Sequence, residues 1–364
     1  MTTRAVTLQD IADHCGLSLF TVSLALRGDT RVKPATAERV RTAADALGYD
    51  PARNQVARRM AMLRHGQPVL NRVVAYFIQE SVEEVPYSNR LFWGVLHGLE
   101  KEGFALLVNK LPLAKGQPGP DLTPLVRQGD IDGIIVPENP VYDAQIAALR
   151  RCGGRELPLV SLIWPGLDCS SVVADDAGGT AAATRHLLEL GHRHLLYLTQ
   201  PNPNLLSEWR LAGIHQALRE AGLDPARHLH LLPTYPRWID PRLARASHDE
   251  DGGEHHLSRW LRAHPEVTGV LAWNDGVALH AWYTLEAAGW RLPEDISLIG
   301  FDDTDPLPGP DGRNLLTSVR VPLREIGEEA ARLIVARATG TLTTDEQRKL
   351  PTTLQIRAST APAR

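Results

Sequence analysis

Apolar residues recur along the first fifty positions in three short stripes with helical spacing, each closed by a turn signal. Leu8, Ile11 and Ala12 make the first stripe, behind Thr7 as an N-cap with Asp10 three residues on, and Gly16 ends it. Ser18 caps a second helix that runs to Arg27, with Gly28 as its C′ residue. On a helical wheel Val22, Ala25 and Leu26 face inward, whereas Leu19, Phe20, Ser23, Leu24 and Arg27 lie on the opposite face. Pro34 opens a third helix as an N1 proline, carrying Ala37, Val40, Ala44 and Leu47 inward up to Gly48. Stripes this short close a core only together, which predicts a three-helix domain over residues 1–50.

From Val73 the pattern changes to short apolar runs alternating with amphipathic segments, the signature of parallel sheets covered by helices on both faces. "RVVAYFI", "FALLVN", "IDGIIVP", "LPLVSLI" and "SSVVADD" read as strands, with helices over Arg90–Gly103, Tyr142–Cys152 and Ala177–Gly191. A second run follows: "HLLYLTQ", helix Glu208–Gly222, "VTGVLAW", helix Val277–Gly289, "ISLIGFDD", helix Leu323–Gly340 and "LPTTLQIRA" as a last strand. The expected architecture is an α-helical head joined to an α/β body of two doubly wound parallel sheets. The lobes divide as 71–174 plus 321–340, and 175–320 plus 341–364. Ligands of such folds bind in the crevice beyond the strand C-termini.

Composition changes this picture little, but the distribution of charge changes it decisively. The chain of 364 residues has a net charge of −4, yet residues 1–65 hold ten basic against six acidic side chains, leaving an acidic body. A basic head on an acidic body fits docking on nucleic acid at one end. Cys15, Cys152 and Cys169 show neither disulfide nor metal spacing, and no signal peptide or long apolar run is present, so a reducing cytoplasm is expected. The histidine-rich "SHDEDGGEHH" lacks metal-ligand spacing, and "AGGTAAATRH" lacks a phosphate-loop pattern, so neither metal nor cofactor is expected.

A tight pair of helices of this kind presents the N-terminal residues of its second helix to base edges in the major groove. The stretch "VTLQDIADHCGLSLFTVSLALRGDTRVKPATAERVRTAADALGYDP" resembles the DNA-binding headpiece of the LacI/GalR family of bacterial transcription regulators. Its marks are Ile11-Ala12, the turn Gly16-Leu17-Ser18, the core Thr21-Val22-Ser23 and Leu47 to Pro51. The resemblance implies base reading by Leu19, Phe20 and Leu24. These side chains cannot form bidentate hydrogen bonds with G or A, which points to apolar contact and DNA shape. Phosphate contacts are expected from Ser18, Thr21, Ser23, Arg27, Arg31 and Lys33, and Lys33 replaces the family's usual Ser cap of the third helix.

In the family, the segment after Pro51 is a hinge helix that folds on DNA and drives an apolar side chain into the minor groove. Here Ala57 and Arg58 match its pattern two residues late, with Met60 as the wedge and Val56 and Leu63 as alternatives; a plain tether over 51–70 is the competing reading.

The resemblance continues through "VVADDAGGTAAATRHLLELGHRHLLYLTQ", "WRLAGIHQAL", "VLAWNDGVAL" and "LPEDISLIGFDDTD", similar to a periplasmic-binding-protein-like regulatory domain. It implies effector contacts by Arg210, Asn274 and Asp302, donors and acceptors suited to a polyol or a polar heterocycle. Ile163 and Trp164 stand where other members carry a carboxylate. Trp164, Trp238 and Trp273 are candidate stacking surfaces. The expected protein is a homodimeric regulator, in the repressor mould, that binds a near-palindromic double-stranded operator under control of a small-molecule effector, a carbohydrate or related metabolite. A solute-binding protein of transport, or a regulator answering to a purine or a protein corepressor, is the alternative. An enzyme is not expected, since no nucleophile elbow, metal triad or cofactor fingerprint occurs, and neither is membrane insertion.

Overall fold

Helix α1 (Leu8–Cys15) starts on a capping box: Thr7 Oγ1 accepts from the Asp10 amide at 3.3 Å while the Thr7 amide donates to the Asp10 carboxylate at 2.6 Å. Gly16 then ends it in the left-handed conformation at φ 62°. Helices α2 (Leu19–Leu26) and α3 (Pro34–Leu47) complete the three-helix unit around Ile11, Ala12, Val22, Ala25, Ala37, Val40, Ala43 and Ala44. The computed structural model describes residues 6–26, 29, 31–49, 70–78, 86–110, 130–137, 157–165, 169–200, 205–233 and 255–364. Arg27, Ala57, Arg58, Met60, Trp238 and the helix expected over Tyr142–Cys152 lie outside the described residues.

The chain divides into two compact units, 1–70 and 71–364. The larger holds, in chain order, β1 (Val73–Ile78), α4 (Pro86–Lys101), β2 (Ala105–Lys110), β3 (Gly133–Pro137), β4 (Leu159–Leu162), β5 (Ser170–Ala174) and α5 (Asp176–Glu189). After them come β6 (His194–Thr199), α6 (Leu205–Glu220), α7 (Pro225–His228), β7 (Leu229–Pro233), α8 (His256–Ala263), β8 (Val267–Ala272) and α9 (Asp275–Ala287). The remaining elements are β9 (Ser297–Asp302), β10 (Thr317–Arg320), α10 (Leu323–Thr339), β11 (Gln347–Leu350) and β12 (Thr353–Gln355).

These strands form two six-stranded sheets, ordered β11-β5-β4-β3-β1-β2 and β12-β10-β9-β8-β6-β7. Pairing is parallel throughout except at β12, which runs antiparallel to β10, so the second sheet is mixed rather than wholly parallel. In the first lobe α4 and α10 lie close because Gly94 and Gly327 face backbone: a Cβ on Gly94 would meet the Arg324 carbonyl at 2.2 Å. In the second, α5 packs on α6 through Gly213, where a Cβ would meet the Ala177 carbonyl at 2.1 Å.

The expected last strand "LPTTLQIRA" is corrected. Residues 347–350 pair with β5 in the first sheet and 353–355 with β10 in the second, so the third crossing between lobes falls at 351–352, not at 340–341. Pro351, which lacks an amide hydrogen and fixes φ, falls at the break between the two short edge strands. Asp175 knits the crossings together, its amide donating to the Leu350 carbonyl at 2.8 Å and its carbonyl accepting from Thr352 Oγ1 at 3.0 Å. Among the described residues no helix is long and apolar enough to cross a membrane.

Candidate DNA-reading helix and effector cleft

In the head, Ser18 Oγ accepts from the Thr21 amide at 3.2 Å and pairs with the Thr21 hydroxyl at 2.8 Å, so both hydroxyls take part in capping α2. Val22 and Ala25 are buried in the small core. Leu19 and Phe20 point out, 47% and 68% exposed, while Ser23 and Leu24 are half-buried one turn on. Arg31 is gripped by Asp29, with Nε and Nη2 donating to the carboxylate at 3.0 and 2.7 Å. Lys33 is exposed and makes no side-chain cap for α3.

In the body, the second lobe gathers charge at the C-terminal ends of its strands. Arg210 rises from α6 into the interior, 4% exposed. Its Nε donates to Asp176 Oδ1 at 2.7 Å, its Nη1 to the Trp273 carbonyl and its Nη2 to Asp302 Oδ1 at 3.4 Å. The guanidinium plane lies between two rings, 3.7 Å from the Phe301 centroid and 4.2 Å from that of Trp273. Burial alone would lower the Arg210 pKa, but Asp176 and Asp302 outweigh it and raise it, so the cation is permanent.

Burial works the other way on the carboxylates. It pushes Asp302 up to about 6 against the pull of Arg210. Asp275, 1% exposed, is raised well above the ordinary carboxylate value by burial and by Asp302, although the Ser318 hydroxyl and the Thr304 and Asp305 amides donate to it. Asp302 and Asp303 both hold left-handed backbone, at φ 96° and 54°. Asp303 is fixed by Arg320 and Arg357, each at 2.8 Å, and its carbonyl accepts at 2.8 Å from Arg90 of the first lobe.

The structure thus brings Arg210, Asp302 and Trp273 together, with Asn274 next in the chain. Asn274 serves as the N-cap of α9, its Oδ1 accepting from the Val277 amide at 2.9 Å, which leaves its Nδ2 group outside the cap. Trp273 has one face covered by Arg210, so only the other face remains for stacking. Trp164 is half-buried beyond β4, following Ile163, a β-branched residue held at φ 72°. Sequence reasoning missed Asp176, Phe301 and Asp275; the doubled acids "ADD" and the pair "ND" at strand ends were the signal for the two acids.

A helix-turn-helix head and a two-lobed body with a buried polar cluster at the strand ends define a DNA-binding regulator with a ligand cleft. The family model described as "Bacterial regulatory proteins, lacI family" matches residues 7–52, and that described as "Periplasmic binding protein-like domain" matches 184–360. The chain belongs to the lacI family, and it is an effector-controlled transcriptional regulator rather than an enzyme. It is 29% identical to the HTH-type transcriptional regulator CelR of Thermobifida fusca over 368 residues, covering 98% of each chain. Against the regulator GalR of Escherichia coli K12 it is 29% identical, covering 91% of this chain and 89% of the other. The solved structure of a CelR–cellobiose complex superposes with a TM-score of 0.62 at 26% identity, over 97% of this chain and 99% of that one.

Proposed function

We propose that this regulator is a homodimeric repressor that binds a near-palindromic operator through α2 and answers to a carbohydrate or related metabolite held by Arg210, Asn274 and Asp302. The observation that carries the reading is the buried guanidinium fixed by Asp176 and two aromatic rings. Three of its five N–H groups are committed inside the protein, so the remainder can meet ligand oxygens without any reorganisation of the arginine. Asp302 accepts from ligand hydroxyls and the Asn274 amide donates beside it. Trp164 and Trp273 supply apolar faces for a sugar ring. The cellobiose bound by CelR supports the carbohydrate class.

On the DNA side Ser18, Thr21, Ser23 and Lys33 meet phosphates, joined by Arg27 and by Arg31 once it turns from Asp29. Ala57, Arg58 and Met60 form the minor-groove hinge. The same reading puts the protein in the cytoplasm, on the nucleoid when bound to operator. Effector occupancy shifts lobe closure and, through it, operator affinity, a coupling of about 1–3 kcal/mol in systems of this kind.

A thermal-shift screen of the full chain against mono- and disaccharides, sugar acids, nucleosides and purines tests this, with Asn274→Ala and Asp302→Asn as controls. A ligand at about 100 times its Kd adds roughly 2.7 kcal/mol of stability. A sugar hit whose shift shrinks in both controls is expected. A purine hit, or none with folded protein, overturns the carbohydrate assignment.

A further inference from the structure

Two large hydrocarbon side chains stand side by side on the first turn of α2 and point away from the core that the helix helps to close. Phe20 is 68% exposed and Leu19 47%, while Val22 and Ala25 on the opposite face are fully buried. Burying a side chain of this size is worth about 1.5–3 kcal/mol. The headpiece leaves that gain to a partner.

The rest of the helix says what the partner offers. The sequence LFTVSLAL contains no Arg, Lys, Asn, Gln, Asp or Glu, so no side chain within α2 can form the bidentate bonds that distinguish guanine or adenine. Of the nearby hydroxyls, those of Ser18 and Thr21 are engaged with each other, and Arg31 is bound by Asp29. Among the groups displayed in the major groove, the C5-methyl of thymine is the apolar one. The excess of basic over acidic residues in the first 65 positions favours a polyanion as the partner of this unit, which argues for DNA over another apolar protein surface.

We infer that Phe20 and Leu19 read the C5-methyl groups of neighbouring thymines, so that each operator half-site is specified by pyrimidine methyls instead of purine hydrogen bonds. This rests on the assignment of α2 as the helix that enters the major groove. Leu24, half-buried one turn later, adds at most an edge contact.

The test uses the full-length protein and a random 30-base-pair duplex pool. Bound duplexes are selected, sequenced and remade with uracil at one thymine at a time, which removes a methyl group and leaves base pairing intact. The selected motif should contain adjacent thymines. Each critical uracil should weaken binding about fourfold, the worth of one buried methyl carbon. Phe20→Ala, at an exposed position, should keep its melting temperature and bind thymine and uracil duplexes alike. A motif fixed by guanines, or equal affinity for both duplexes in the unsubstituted protein, overturns the inference while α2 remains the reader. A pool that yields no preferred sequence overturns both. A Phe20→Ala protein that loses self-association but keeps its thymine preference also overturns it, assigning the pair to a contact between copies.

Discussion

Phe20 turns two-thirds of its surface to solvent on the headpiece, whereas Arg210, Asp176 and Asp302 lie 4, 3 and 7% exposed inside the second lobe. Each region departs from the usual rule, the one by leaving hydrocarbon outside and the other by drawing charge inside. The difference shows what each surface requires of its partner. An exposed aromatic gains only when another molecule buries it, so its energy is spent on recognition and contributes nothing to the fold. A buried ion cluster is paired before any ligand arrives, so it fixes geometry in advance and couples ligand binding to the stability of the lobe.

The comparison breaks most visibly at Arg210. Replacing it by Leu strands Asp176 and Asp302 in a dry site, and removal of one partner of a buried pair costs about 3–5 kcal/mol. Phe20→Ala should leave stability within about 0.5 kcal/mol, since it removes no buried contact. Urea denaturation of the two variants measures the contrast. Equal midpoints would mean that the arginine cluster is not a structural keystone of the lobe.

Much of this was legible in the chain, for reasons that can be traced to particular residues. Thr7, Gly16, Ser18, Pro34 and Gly48 mark the head because caps and breakers act locally and leave their signature in consecutive positions. Asp176 and Asp275 escaped notice because each follows a residue that already explains the local sequence: Asp175 and Asn274 cap their helices, accepting from the Gly178 and Val277 amides. The second residue of each pair is then free of capping duty and turns inward, Asp176 to Arg210 and Asp275 to Ser318. Their partners lie 34 and 43 positions away, distances that no local pattern encodes. The split of the terminal strand between two sheets was hidden for the opposite reason, because β11 and β12 are near neighbours in sequence that belong to different lobes.

A smaller effect follows from Asp302. With its pKa raised to about 6, it is a carboxylate at pH 7 and a neutral acid at pH 5. As the folded value lies above the ordinary one, its share of stability is present at low pH and is lost as pH rises from about 4 to 6. Ligand affinity should move the opposite way: hydroxyls that donate to the carboxylate exchange a charged acceptor for a weaker neutral one on acidification. Between pH 7 and pH 5 a cleft ligand found in the screen should bind about tenfold more weakly, and Asp302→Asn should flatten the profile. Calorimetric titration across this range decides it, and an unchanged slope in the variant would remove Asp302 from the contact set.

The least effect is expected at the start of α3, where Lys33 offers no side-chain bond to the first turn although Thr7 does so for α1. Lys33→Ser supplies that acceptor and should stabilise the head by about 0.5–1 kcal/mol. It also removes one cation of the proposed phosphate contacts, which should lower the slope of log affinity against log salt by about 1. Thymine-over-uracil discrimination should not change, because Lys33 lies beyond the helix that bears Phe20. Stability and salt dependence therefore shift while sequence preference stays fixed. A variant that altered the preferred sequence instead would place Lys33 among the base readers and dissolve the division between positioning and reading on which the contrast of the two regions depends.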